Sequence, residues 1–139
     1  MKYLLDTCVV SELIKPDYNE KVYLWLTSEK FDDIGLSVIS IGEIWKGIQK
    51  LPESAKKNKL IVWFENDVVS FYYNRIIPID FDIMIVWGEL HADIEKKGKK
   101  MPISDSLLAA TALTKEITLV TRNTKDFINS GCKLFNPWD

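Results

Sequence analysis

The sequence opens with Met1-Lys2-Tyr3-Leu4-Leu5-Asp6-Thr7, a short apolar run that ends in an aspartate. Lys2–Leu5 has the length and composition of a buried β-strand. In open parallel sheets, ligands bind beyond the carboxyl ends of the strands, and Asp6 is the first residue past this end. The segment therefore predicts the first strand of a sheet and, directly after it, the first residue of a candidate site.

Strand-like and helix-like segments alternate along the rest of the chain. The predicted strands are Lys2–Leu5, Asp32–Ser37, Ile76–Ile79, Thr118–Thr121 and Lys133–Phe135. The predicted helices are Val9–Lys15, Asn19–Ser28, Ser40–Leu51, Glu53 to about Arg75 (with a potential break near Asn66-Asp67), Phe81–Lys97 and Ser104–Glu116. This alternation predicts an α/β fold in which helices cover both faces of a parallel sheet of four to five strands. Residues 1–139 show no linker or internal repeat, so we expect a single domain.

The composition is that of an ordinary globular protein. Hydrophobic residues make up 47% and charged residues 27% of the 139 residues. No apolar run approaches the roughly 20 residues that are needed to span a bilayer. A secretory signal would need a longer uncharged stretch than the one between Lys2 and Asp6. We therefore expect a cytoplasmic protein that has no contact with the membrane.

Cysteine, histidine and charge content exclude several kinds of chemistry. Two cysteines, Cys8 and Cys132, are too few for a disulfide framework and lack the spacing of a zinc site. The single histidine, His91, excludes histidine-rich metal sites and disfavours a serine or cysteine triad. The net charge of −2 argues against a sequence-independent nucleic-acid binder, which usually has a basic surplus. An enzyme that uses carboxylates, and whose bound cations supply positive charge, stays compatible with this composition.

Four polar residues from distant parts of the sequence are predicted to meet at one edge of the sheet. Asp6 follows the first strand, Glu43 and Asp105 lie in the first turns of two predicted helices, and Asn123 follows the fourth strand. Carboxylates that lie close together raise each other's pKa unless a cation neutralises them. Because oxygen ligands select a hard metal, Mg²⁺ or Mn²⁺ fits this set and zinc does not.

Each of the three acids also has a purely structural interpretation. Asp6 before Thr7 fits the N-cap of the next helix, and Ser40-Ile41-Gly42-Glu43 matches the S-x-x-E capping box. Asp105 at a helix start interacts favourably with the helix dipole. Taken singly, each acid is more often structural than catalytic, so the predicted site depends on their convergence.

Four segments resemble the signature motifs of the PIN-domain family, in the family's order and at its spacing. They are Leu4-Leu5-Asp6-Thr7, Ser37-Val38-Ile39-Ser40-Ile41-Gly42-Glu43, Asp105-Ser106-Leu107-Leu108-Ala109-Ala110-Thr111-Ala112 and Thr121-Arg122-Asn123. The ending Phe135-Asn136-Pro137-Trp138 is similar to the tail of the bacterial VapC and FitB-like toxins of that family. The resemblance extends over nearly the whole chain.

This resemblance implies a set of site residues. Asp6, Glu43 and Asp105 correspond to the metal-binding acids, and Asn123 falls on the family's fourth polar position, where many members have aspartate. Asp126 is the alternative for that position if it faces inward. Cys8 replaces a usual asparagine, and this change either loosens the surroundings of Asp6 or makes Cys8 a small buried hydrophobe.

The resemblance also implies an activity and partners. The activity is hydrolysis of structured RNA, such as tRNA or rRNA, by a site in which one or two Mg²⁺ ions, with Mn²⁺ as a substitute, activate water and stabilise the charged transition state. Thr7 and Thr121 are weaker candidates for positioning water or phosphate. The implied partners are a second copy of the chain, in a homodimer, and a cognate antitoxin whose basic tail would block the acidic site.

Three further features have both structural and functional interpretations. The lysine-rich segment 96–100 is a contact for the RNA backbone, a helix C-terminus ended by Gly98, or both. His91, inside a predicted helix, is expected to be a surface or hydrogen-bonded residue and not a metal ligand. The aromatic residues of the long helix should lie mostly in the core, with some of them on a homodimer face: Trp63, Phe64, Phe71, Tyr72 and Tyr73.

Two other functions stay open at this point. A catalytically idle PIN module that acts with a DNA-binding antitoxin would account for Asn123 and Cys8. A Mg²⁺-dependent phosphatase is a more remote alternative, since Ile76–Asp82 mimics the hhhhDxD start of haloacid-dehalogenase-like phosphatases. Met84 stands where that family has a small or β-branched residue, however, and Asp80 is expected to cap the following helix.

Overall fold

The computed structural model describes residues 1–139 and contains a five-stranded parallel sheet. The strands are β1 (Tyr3–Leu5), β2 (Ile34–Ser37), β3 (Ile76–Ile77), β4 (Thr118–Val120) and β5 (Leu134–Phe135). Their order is β3-β2-β1-β4-β5, and every neighbouring pair is parallel. The predicted parallel α/β sheet is confirmed, and its order places β1 at the centre with β4 beside it.

Seven helices connect the strands, and none of them has the length and apolar character that crossing a bilayer requires. They are α1 (Thr7–Glu12), α2 (Glu20–Ser28), α3 (Val38–Gln49), α4 (Ala55–Trp63), α5 (Phe81–Lys96), α6 (Ile103–Lys115) and α7 (Thr124–Phe127). A π-helical segment at Phe64–Ser70 and short 3₁₀ turns at Phe31–Asp33, Tyr73–Arg75 and Ile128–Ser130 complete the helical elements.

The central strands separate two hydrophobic cores. Leu4 and Leu119 point to one face, where they pack with residues of α5, α6 and α7. Leu5 and Val120, one residue further along each strand, point to the other face and pack with residues of α1 to α4. Burial on both faces explains why these strands are continuous apolar runs and not alternating ones.

Local chemistry accounts for the helix and strand bounds that differ from the prediction. The first helix starts at Thr7 and not at Val9, because Asp6 caps it directly after β1. The second strand starts at Ile34 and not at Asp32, because Phe31–Asp33 forms a 3₁₀ turn. The third strand ends at Ile77, before Pro78, whose nitrogen carries no proton for a sheet hydrogen bond.

The predicted long helix from Glu53 to Arg75 consists of three parts. It starts at Ala55, where the Ser54 hydroxyl accepts a hydrogen bond from the Lys57 amide at 3.1 Å. Near Asn66-Asp67 the helix does not break but widens into π-helical turns over Phe64–Ser70, and it is followed by the 3₁₀ turn at Tyr73–Arg75.

Candidate active site

Asp6 connects the sheet to α1 at the carboxyl edge of β1, and only 8% of its surface is exposed. Its Oδ1 accepts a hydrogen bond from the Thr7 amide at 2.7 Å, and its Oδ2 accepts one from the Thr121 hydroxyl at 2.8 Å. The Asp6 amide donates to the Val120 carbonyl at 2.9 Å, so the residue is held between β1 and β4. Asp6 is therefore both the helix cap and a fixed carboxylate at the predicted edge.

Glu43 is not part of a capping box, and that prediction was wrong. The cap of α3 is Ser37, three residues before Ser40, and its hydroxyl accepts from the Ile39 amide at 3.0 Å. Glu43 consequently lies in the second turn of α3 and not in the first. It is exposed, and its Oε1 accepts a hydrogen bond from the Thr7 hydroxyl at 3.0 Å. Its carboxylate thus lies against the N-terminal end of α1, beside Asp6.

Asp105 lies in the first turn of α6, as predicted, and the next residue fixes this turn. The Ser106 hydroxyl donates to the Ile103 carbonyl at 2.8 Å and accepts from the Trp87 indole N–H of α5 at 2.8 Å. Ser106 and Trp87 were missed by the sequence reasoning. No local sequence signal marks this pair, because the fully buried Ser106 hydroxyl finds its partner on another helix.

The electrostatics of Asp105 show that the predicted carboxylates lie near one another. Its pKa is raised from 3.8 to about 6, first by burial and then by the negative charges of Asp6, Asp126 and Glu43. A carboxylate with this pKa binds a proton or a cation more readily than an exposed one. The charges of Asp6, Glu43 and Asp126 thus act on Asp105, and we call these four residues the acidic cluster.

The fourth polar position contains both Asn123 and Asp126. Asn123 is exposed, its amide donates to the Thr121 hydroxyl at 3.0 Å, and its side chain makes no capping bond to α7. Asp126 lies one turn further on in α7, and its charge acts on Asp105. Helix α7 was not predicted from the sequence, because four residues are too few for a helical period. Asp126 is exposed, and the occupant of the fourth position, Asn123 or Asp126, stays a prediction.

Thr7, Thr121 and Cys8 surround the acids. The two threonine hydroxyls donate to carboxylates, Thr7 to Glu43 and Thr121 to Asp6, so they hold the acids in place. The half-buried Cys8 thiol lies 3.8 Å from Asp6 Oδ2 and 3.8 Å from the Thr121 hydroxyl, and burial raises its pKa. Cys8 is thus a neutral neighbour that packs against the cluster.

The donor set of this cluster fits Mg²⁺. All of the ligand atoms would be carboxylate oxygens, which Mg²⁺ and Mn²⁺ prefer. No three His, Cys, Asp or Glu side chains lie close enough to hold one ion by themselves. Mg²⁺ usually keeps several waters and needs only one or two protein carboxylates, so the absence of three converging acids is compatible with it. Ligation by Asp6, Glu43 and Asp105 remains a prediction.

Two other acidic or basic residues that the sequence singled out have structural roles. Asp80 caps α5 as expected, because its Oδ1 accepts from the Ile83 amide at 3.0 Å. His91 stacks on Trp87, and its Nε2 lies 3.4 Å from Glu95. Its Nδ1 is buried without a partner, so only one of its nitrogens is paired.

The lysine-rich segment follows the end of α5, as predicted. Gly98 has a left-handed φ of 69°, which ends the helix. Lys97 pairs with Asp93 at 2.9 Å, and Lys99 donates to Asn129 at 3.1 Å. Lys96 and Lys100 are exposed. The structural interpretation of the segment is confirmed, and a contact with RNA stays a prediction.

The aromatic side chains of the predicted long helix are only partly in the core. Phe64 and Tyr72 are buried, whereas Phe71 and Tyr73 are 50% and 72% exposed. A cavity of about 580 Å³ has a mostly apolar lining that includes Phe71, and Arg75 also lines it. The expectation that these aromatics lie mostly in the core holds for only some of them.

Comparisons with known proteins identify the group to which this arrangement is similar. The family model described as PIN domain matches residues 3–129. Toxin FitB of Neisseria gonorrhoeae is 34% identical over 135 residues, which cover 97% of each chain. VapC ribonuclease Y4jK of Sinorhizobium fredii is 29% identical and covers 98% of this chain and 97% of its own. The crystal structure of VapBC2 from Rickettsia felis bound to a promoter DNA fragment superposes with a TM-score of 0.83 at 28% identity, over 100% of each chain.

Proposed function

The chain belongs to the PIN-domain family, and on that premise we propose that it is an endoribonuclease toxin that cleaves RNA at the acidic cluster with the help of Mg²⁺. The observation that carries the proposal is Asp105, whose pKa is raised to about 6 by burial and by three neighbouring carboxylates. Such a concentration of negative charge costs folding energy unless the site uses it to bind a cation. The ribonuclease named among the relatives supports RNA as the substrate.

The residues of the cluster have separate tasks in this proposal. Asp6, Glu43 and Asp105 would hold the metal, directly or through its waters. When bound, Mg²⁺, or Mn²⁺ in its place, supplies an activated water and offsets the negative charge that develops on the phosphate. Thr121 keeps Asp6 in one orientation through the bond at 2.8 Å, and Ser106 keeps the first turn of α6 against Trp87. The fourth polar position combines the neutral Asn123 with the carboxylate of Asp126.

The proposal includes macromolecular partners. We propose a cognate antitoxin as one partner, because an antitoxin with a basic tail would be complementary to the cluster in charge. The toxin name of one relative supports this kind of partner. We also propose that two copies of the chain form a homodimer, that tRNA or rRNA is the substrate, and that the protein acts in the cytoplasm, where these RNAs are found.

The test is cleavage of a total small-RNA pool by the purified chain. We expect discrete cuts with Mg²⁺ or Mn²⁺, none with EDTA, and a loss of at least about 100-fold in the Asp105→Asn variant, since removal of a transition-state-stabilising group typically costs this much. Asp93→Asn is the matched control, because Asp93 is an exposed aspartate of α5 that only pairs with Lys97.

The outcomes separate the proposal from its alternatives. Cuts that require both the metal and Asp105, and that persist in Asp93→Asn, support a metal-dependent ribonuclease. Cuts that survive EDTA or Asp105→Asn contradict it. A protein that binds no metal and leaves every RNA intact is an idle module, and one that hydrolyses a phosphomonoester but no RNA is a phosphatase.

A further inference from the structure

Thr7 contacts two acids of the cluster at the same time. Its backbone amide donates to Asp6 Oδ1 at 2.7 Å, and its hydroxyl donates to Glu43 Oε1 at 3.0 Å. Asp6 and Glu43 are 37 positions apart in the sequence and lie on different elements. Thr7 is thus the one residue that hydrogen-bonds to both of these carboxylates.

The packing of α1 on α3 fixes the distance that this residue spans. Val9 and Val10 of α1 lie in the same hydrophobic core as Ile44 and Ile48 of α3. Ile44 directly follows Glu43 and is buried, so its packing holds the backbone of Glu43 in place although the Glu43 side chain is exposed. The hydrogen bond from the Thr7 hydroxyl to Glu43 therefore joins two helices that are held together by the core between them.

The Thr7 hydroxyl has no task in the fold that would explain its position. The cap of α1 is Asp6, and the Thr7 hydroxyl makes no bond to the backbone of its own helix. Other threonines of the chain, such as Thr111 and Thr114, donate to a carbonyl four residues earlier. A threonine hydroxyl that is directed at an acid on another helix orients that acid.

We propose that Thr7 is a positioning residue that sets the orientation of Glu43 relative to Asp6. This inference rests on the proposed function, because it concerns the same acidic site. The bond to Thr7 engages only Oε1 of Glu43, so Oε2 is left to bind a cation. Without that bond, the exposed side chain would sample several rotamers. A hydrogen bond to a charged group contributes enough free energy to change an affinity or a rate by about 10-fold.

Steady-state RNA cleavage by four purified full-length chains tests the inference. They are the wild type, Thr7→Val, Thr7→Ser and the control Thr114→Val. The control makes the same hydroxyl-to-methyl change at a half-buried threonine near the C-terminal end of α6, whereas Asp105 lies near the N-terminal end. We expect Thr7→Val to lower kcat about 10-fold with an unchanged KM for RNA. Thr7→Ser, which keeps the hydroxyl, should retain most of the activity, and Thr114→Val should behave like the wild type.

Direct binding of Mn²⁺ in the absence of RNA supplies a readout that does not depend on turnover. Calorimetric titrations should show about 10-fold weaker binding by Thr7→Val than by the wild type. In a Glu43→Ala background, where Thr7 has no side-chain acceptor at position 43, Thr7→Val should change Mn²⁺ binding by less than about 2-fold, because two residues that act through one another are not additive. Melting temperatures monitor the fold, and Thr7→Ala is the second variant if Thr7→Val unfolds.

Each result has a defined meaning. Equal Mn²⁺ affinity and kcat in Thr7→Val and the wild type overturn the inference, and so does an equal loss in both backgrounds of the cycle. A loss that Thr7→Ser does not restore assigns a packing role to the methyl group and also overturns it. A wild type that neither binds Mn²⁺ nor cleaves RNA overturns the proposed function itself.

Discussion

At the scale of single residues, Asp105 gives the metal-free protein a characteristic pH dependence of stability. Its folded-state pKa of about 6 lies above the ordinary value of 3.8, so the folded state binds this proton more tightly than the unfolded chain. The stability that the proton confers is fully present below about pH 4 and is lost as the pH rises through about 6. A shift of about two pKa units corresponds to roughly 3 kcal/mol of unfolding free energy. Because Asp105 is only half-buried and solvent screens its charge, we expect the measured contribution to be about 1 kcal/mol.

Urea unfolding in EDTA between pH 4 and pH 7 measures this effect. Between pH 4 and pH 7, the wild type should lose about 1 kcal/mol of unfolding free energy relative to Asp105→Asn. The reason is that Asp105 ionises over this range, whereas asparagine cannot. The wild type should show no such loss relative to Asp93→Asn. A wild type that becomes more stable relative to Asp105→Asn as the pH rises would contradict the assigned environment.

The residues of the site were predictable to different degrees. Asp6 and Asp105 were located correctly, because an acid after a buried strand or in the first turn of a helix leaves few alternatives. Glu43 was matched to a capping box that does not form, since Ser37 at the end of β2 caps the helix first. Trp87 and Ser106, which meet across two helices, leave no local pattern in the sequence.

At the scale of elements, the two glycines associated with α5 should respond to substitution in opposite ways. Gly88 lies in the middle of α5, with open space around the position of a Cβ atom, whereas Gly98 has a left-handed φ of 69° just after the helix. We expect Gly88→Ala to raise the unfolding free energy by about 0.5 to 1 kcal/mol and Gly98→Ala to lower it by about 1 kcal/mol. Urea denaturation of both variants measures the two changes, and a Gly98→Ala variant as stable as the wild type would refute the left-handed cap.

The elements show where sequence reasoning succeeds and where it ends. Long periodic segments such as α2, α3, α5 and α6 were predicted to within a few residues, because their apolar faces are local features of the sequence. The π-helical turns over Phe64–Ser70 depend on tertiary packing around Val68, which is fully buried. Helix α7 is shorter than the period that would reveal it.

At the scale of the whole molecule, the parallel sheet was predictable and the order of its strands was not. Alternation of strands and helices implies a parallel sheet. Which strands are neighbours depends on contacts between distant segments, such as Leu5 beside Val120. This pairing brings Asp6 and Thr121 together, so the geometry of the site is a property of the complete fold. The proposed homodimer likewise depends on surfaces, such as the exposed Tyr73, that carry no partner information in the sequence.

The proposed activity requires that the acids at this edge of the sheet bind a metal ion at one site. A crystal structure of the protein soaked in MnCl₂, with anomalous data collected at the manganese edge, tests that claim directly. We predict an anomalous peak roughly 2.0 to 2.2 Å from a carboxylate oxygen of Asp6 or Asp105, with waters as the remaining ligands, and no such peak in Asp105→Asn. A peak that survives Asp105→Asn unchanged, or manganese bound only away from this cluster, would contradict the account.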